Sequence, residues 1–126
     1  MSKLNIEPIK QGKVSIDVAD SAAGVVVNIV GDIDMQDPSV ILDPLFEKVH
    51  EGAIAQGIKV VEANLRQLTF LNSSGIKGMA KWIMKLTTVP ADKKYTLKIL
   101  YNKDISWQAT SLPTLTFLAP GLVTLE

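Results

Sequence analysis

The chain has 126 residues, with thirteen basic and thirteen acidic side chains that cancel, 47% hydrophobic and 21% charged residues, no Cys and one His. A chain of this length buries roughly two-thirds of the surface its unfolded form exposes, so it needs neither metal nor disulfide to hold a core. The missing basic excess argues against general nucleic-acid binding. Without Cys there is no disulfide or thiolate chemistry, and a lone His50 excludes a multi-His metal site.

No apolar run reaches the ~18–20 residues of a membrane span, and Met1-Ser2-Lys3-Leu4-Asn5 lacks a signal peptide's apolar stretch. The expectation is one cytoplasmic domain over 1–126, with no membrane and no cofactor.

In chain order, residues Lys13 to Asp20 alternate, with Val14, Ile16 and Val18 on one side, which predicts a half-buried strand. Asp20 to Gly24 reads as a turn. Val25 to Val30 is apolar and β-branched apart from Asn28, the pattern of a central strand covered on both faces. Gly31-Asp32-Ile33-Asp34 follows as its exit.

Asp37-Pro38 predicts a helix start, with Asp37 as N-cap and Pro38 in the first turn. Val40, Ile41, Leu45, Phe46 and Val49 recur at helical spacing, and Gly57 marks the end. Lys59 to Leu65 is a short strand. After Asn72-Ser73-Ser74-Gly75, residues Ile76, Met79, Ala80, Ile83 and Leu86 form the apolar stripe of an amphipathic helix, stopped by Val89-Pro90.

Tyr95 to Tyr101 alternates again. From Asp104 to Leu118, Pro113 predicts two short turns rather than one helix, one ending near Ser111 and one starting at Pro113. Leu122 to Leu125 is a terminal strand. The order β-β-α-β-α-β-α-β predicts an α/β domain, a mixed β-sheet with helices packed on it.

Two short motifs carry a resemblance. Asn72-Ser73-Ser74-Gly75 opens a helix directly after a strand, and Gly31-Asp32-Ile33-Asp34 leaves an earlier one. Together, and in this element order from about Lys13 to Leu125, they resemble the two signatures of the STAS domain of bacterial anti-sigma-factor antagonists. The second is Asp-Ser-Ser/Thr-Gly in that family, so the motif Asp is Asn72 here.

The resemblance implies a phosphorylation switch in signal transduction and transcription regulation. The unmodified form binds a Ser/Thr protein kinase or anti-sigma factor, a phosphatase can reset it, and the phosphorylated form is released. By position the acceptor is Ser73, with Ser74 as secondary site. Asp32, Asp34, Asn72, Gly75, Lys77 and Lys81 form the implied partner face, and Asp34 is expected close to Ser73. Asn72 in place of Asp bears on kinase recognition more than on fold.

The residues support the chemistry without the family. A serine at a helix start lies among backbone N–H groups that have no intrahelical partner, and these favour an anion. The same serines read equally as helix caps, with Ser74 capping and Ser73 facing solvent. Asn72 reads equally as an Asn chosen for left-handed backbone.

Lys77, Lys81 and Lys85 line up at i, i+4 and i+8, either as a docking stripe for an acidic partner or as a solvated face. Trp82 falls outside the apolar stripe, as an exposed contact or partly buried under a loop. Asp32 and Asp34 lack a third acid and make a poor metal site.

His50 sits near the end of the first helix, where its charge suits the helix dipole. A Ser73–His50–Asp triad lacks the Gly-x-Ser-x-Gly elbow, so an enzyme is not expected. The alternatives are a constitutive STAS scaffold or ligand-sensing domain and, behind it, a small serine hydrolase.

Overall fold

The computed structural model describes residues 4–126. The elements are β1 (Ile9–Gln11), β2 (Val14–Asp20), β3 (Val25–Ile33), α1 (Ser39–Gln56), β4 (Val60–Leu71), α2 (Ser73–Thr87), β5 (Thr96–Leu100), α3 (Ser106–Leu115) and β6 (Val123–Leu125). Short 3₁₀ turns lie at Ala91–Lys93 and Thr116–Leu118. The strands form one six-stranded mixed sheet in sequential order. β1, β2 and β3 pair antiparallel, and β3 through β6 pair parallel.

Topology decides where the core lies. Each parallel step carries one helix as its crossover, and all three steps move along the sheet in the same direction. Right-handed crossovers then place every helix on one face. The burial follows: Val14, Ile16 and Val18, then Val25, Val27 and Ile29, then Val61, Ala63 and Leu65, then Leu97 and Ile99, are buried at a period of two.

The expectation that Val25 to Val30 is covered on both faces is therefore corrected. Val26 and Asn28 are half-exposed, and Val30 is 39% exposed on the open face. The polar Asn28 belongs there. It accepts a bond from Asn64 Nδ2 at 3.0 Å and donates to Asp17 Oδ2 at 3.3 Å, a rung across three strands.

Several boundaries differ from the sequence reading. β1 was not expected. Its signal is the two-residue link Gly12-Lys13 between the paired Gln11 and Val14, with Gly12 at φ +58° as a tight hairpin requires. β3 continues through Gly31 to Ile33 and β4 through Leu68 to Leu71, with two register shifts between them. α3 runs unbroken through Pro113. The ring's steric clash and missing N–H fall against Ala109, which is exposed, so water can take up the freed carbonyl.

α1 starts one residue later than expected: Pro38, not Asp37, holds the N-cap position, and Ser39 is the first helical residue. The Asp37 carboxylate accepts the Ser39 N–H at 3.3 Å, and Gly57 ends the helix at φ +68°. α1 and α2 then pack side by side through Leu42, Leu45, Phe46 and Val49 against Met79, Trp82, Ile83 and Leu86, all buried. Each such side chain contributes roughly 1.5–3 kcal/mol. The exposed ion pairs between the helices contribute at most about 1 kcal/mol each, so burial fixes the helix pair.

Candidate functional site

β4 hands over to α2 at Leu71-Asn72-Ser73. Asn72 is the N-cap, in extended backbone at φ −82° and ψ 176°, and its Oδ1 accepts the Gly75 N–H at 2.9 Å. Its Nδ2 donates to the Met35 carbonyl at 3.1 Å. The two bonds fix which end of the carboxamide is which. Two expectations are corrected here: Asn72 rather than Ser74 caps the helix, and Asn72 does not occupy left-handed backbone.

The same geometry explains the residue type. A carboxylate could serve the cap but would meet the Met35 carbonyl with no hydrogen to offer.

Gly75 is buried, and a Cβ there would lie 2.2 Å from Leu71 Cδ1. Its role is to let the first turn of α2 close onto the end of β4. It does not belong to an exposed partner face, which corrects that expectation.

Ser73 and Ser74 occupy the first two helical positions and are both exposed. The Gly75 N–H goes to Asn72 Oδ1 and the Ile76 N–H to the Asn72 carbonyl at 3.1 Å. The N–H groups of Ser73 and Ser74 are left at the open end of the helix, where the dipole favours an anion.

The β3 exit lies beside this corner. Register pairs Asp32 with Phe70 and Ile33 with Leu71, so Asp34 and Met35 leave the sheet next to Asn72. Asp34 is exposed and pairs with Lys13 Nζ at 3.3 Å. Lys13 escaped the sequence reading because it comes from the β1–β2 turn, brought close only by the pairing of Val14 with Gly31. Asp32 is half-buried, and its carboxylate receives the Thr69 hydroxyl. Among the described residues no three His, Cys, Asp or Glu converge as metal ligands.

The lysine stripe is mostly spoken for. Lys81 pairs with Asp43 at 3.1 Å and Lys85 with Glu47 at 3.4 Å, both across to α1. Lys77, nearest the corner, is exposed and has no ion pair among the described residues. The stripe flanks a groove of about 970 Å³ between α1 and α2, whose lining includes Ser74, Lys77, Gly78 and Met84.

No protein-family model and no curated protein matches the chain. Solved structures do. An anti-sigma factor antagonist from Mycobacterium paratuberculosis superimposes with a TM-score of 0.57 at 19% identity, covering 88% of this chain and 85% of the other. The fold is the STAS fold.

A second STAS-like match comes from the complex of the diguanylate cyclase SiaD with its activator SiaC from Pseudomonas aeruginosa, with a TM-score of 0.66 at 16% identity, covering 96% of this chain and 100% of the other. The neighbours of this STAS fold thus include a protein captured in complex with a partner.

Two residues are placed by the STAS core rather than by its rim. Trp82 is 2% exposed, not a surface contact. It stacks on Phe46 with ring centroids 4.5 Å apart and donates its indole N–H to Tyr95 Oη at 2.7 Å. His50 Nδ1 lies 2.7 Å from the same hydroxyl.

The indole can only donate, so His50 Nδ1 is the acceptor within reach of the Tyr95 hydroxyl's own hydrogen, an arrangement that satisfies all three groups with His50 as the neutral Nε2–H tautomer. Burial, and then Lys85, push the His50 pKa below its ordinary 6.5, against smaller opposing effects of Glu51 and Glu47. Burial raises the Tyr95 phenol. His50 is thus a core residue rather than a helix-end cation. Trp82, which shares its hydroxyl partner, lies nine residues past Ser73, about 14 Å along α2. No Ser73–His50 triad forms. No helix among the described residues is long and apolar enough to cross a membrane.

Proposed function

We propose that this protein is a phosphorylation-controlled interaction module of the anti-sigma-factor-antagonist type, not an enzyme. Unmodified, it binds a Ser/Thr kinase or anti-sigma-type regulator in a bacterial cytoplasm and so acts on transcription. Phosphorylated at Ser73, it lets go, and a phosphatase resets it.

One observation carries the reading: Asn72 does the capping, so the exposed Ser73 and Ser74 hydroxyls are not needed by the fold. A phosphate there adds roughly −1.5 to −2 charges to the surface without breaking a core contact. Asp34, Ser74 and Lys77 flank Ser73 as the contact face, with Asp32 and Lys81 at its margins.

If a partner covers that face, an unpaired buried charge costs it several kcal/mol. A loss of about 2.7 kcal/mol already weakens binding a hundredfold. The SiaC complex and the mycobacterial antagonist support a role in partner binding for a chain of this fold.

Incubation with Ser/Thr kinases of the source organism and ATP tests the switch. Intact mass should rise by one phosphate, and the rise should vanish in Ser73→Ala. Phosphate on another residue, or none with any candidate kinase, contradicts it.

A further inference from the structure

We propose that Lys77 is the built-in counter-charge of a phosphate on Ser73, a positioning residue for the modified state. The inference rests on Ser73 being the acceptor. Ser73 and Lys77 stand at i and i+4 on α2, one above the other on the same helical face. The acidic member comes first, the orientation in which such pairs are most favourable and in which both charges also suit the helix dipole.

What singles out Lys77 is the charge state of its surroundings. Lys81 and Lys85, one and two turns further along the same stripe, are held by Asp43 and Glu47 of α1. Lys77 has no such partner among the described residues, although it lines the same groove. The acids that leave β3 beside the corner are themselves engaged: Asp34 with Lys13, and Asp37 with the backbone N–H and hydroxyl of Ser39. At position 72 a neutral carboxamide stands where a carboxylate would repel a dianion.

A phosphate on Ser73 would thus meet one uncommitted cation on its own face, while of the two loop carboxylates Asp34 is ion-paired with Lys13 and Asp37 is hydrogen-bonded to Ser39. The arrangement holds the dianion against α2 and keeps the switched-off form folded. Ser74 stands at i+3 from Lys77, so the same lysine would serve a phosphate there.

The test needs no kinase. Phosphoserine is installed at position 73 by genetic encoding, and the second ionisation of the phosphate is followed by 31P NMR as a function of pH, in wild type and in Lys77→Gln, Lys77→Arg and Lys85→Gln. Loss of the lysine should raise the midpoint by about 0.3 pH unit. Lys77→Arg should keep the wild-type midpoint, Lys85→Gln should leave it unmoved, and 1 M salt should erase the difference.

Equal midpoints in wild type and Lys77→Gln at low salt overturn the inference, as does an equal rise in Lys85→Gln. Neither result depends on whether a kinase chooses Ser73. Conversely, a kinase that modifies another residue overturns the proposed switch and leaves these midpoints as they are.

Discussion

Asn72 and Met35 are joined by a hydrogen bond of 3.1 Å from carboxamide to carbonyl, so the loop leaving β3 is tied to the residue that caps α2. The tie makes the corner one unit: the segment carrying Asp34 and the segment carrying Ser73 are held by the two ends of a single side chain.

Asn72→Ala removes both the cap and the tie. A lost cap costs about 1 kcal/mol and a lost hydrogen bond about the same, so the variant should be about 2 kcal/mol less stable in urea unfolding. Asn72→Asp keeps the cap and loses the tie, so it should fall between the two. If Asn72→Asp equals or exceeds wild type in stability, the Met35 bond does not explain the asparagine.

Gly75→Ala places a methyl 2.2 Å from Leu71 Cδ1, in a site where Leu71 is only 4% exposed. Overpacking of this kind costs about 1–3 kcal/mol. Combining it with Leu71→Ala should cost less than the sum of the two single changes, because the second removes the obstacle of the first. Strict additivity in denaturant midpoints would contradict the steric role.

Much of this corner was legible in sequence, and its limits are physical. Alternation placed β2 and β5, and the apolar spacing from Ile76 to Leu86 placed α2, because both patterns follow from local geometry. The cap at Asn72 was visible as a residue type but not as a role, since Met35 is 37 residues away and reaches it only through the β3–β4 register. The pairings of Lys81 and Lys85 with α1, and of Asp34 with Lys13, were out of reach for the same reason.

Trp82 is buried although it lies outside the apolar stripe from Ile76 to Leu86, because α2 is covered by α1 as well as by the sheet and so buries a wider arc. The one-sided sheet was implicit in the element order, and was missed because a β-branched run reads alike whether one face is covered or two.

Gln108 is fully buried and makes three bonds. Its Nε2 donates to the carbonyls of Leu65 at 2.6 Å and Leu68 at 2.8 Å, and its Oε1 accepts the Asn102 N–H at 2.8 Å. These satisfy β4 where its register with β3 slips. Gln108→Leu keeps the volume and strands all three groups, so it should cost about 3 kcal/mol. A change below about 1 kcal/mol would mean that the slipped stretch finds other partners.

His50 makes stability depend on pH. Its folded pKa lies below the ordinary 6.5, so as pH falls through about 6.5 the unfolded chain takes up the proton first. Its contribution is complete above that value and is lost as pH falls toward the folded pKa, by at most about 1.4 kcal/mol per pH unit. Between pH 7 and 5.5 the urea midpoint should decline in wild type, and the decline should flatten in His50→Gln. The same slope in both proteins would assign the pH dependence elsewhere.

In the proposed switch, charge on Ser73 ejects a protein while leaving the scaffold intact. The most direct measurement titrates the partner kinase or anti-sigma regulator calorimetrically with the unmodified protein and with the protein carrying phosphoserine at position 73, both shown by circular dichroism to be folded. The phosphorylated form should bind at least about a hundredfold more weakly. Equal affinity of the two folded forms would contradict the switch.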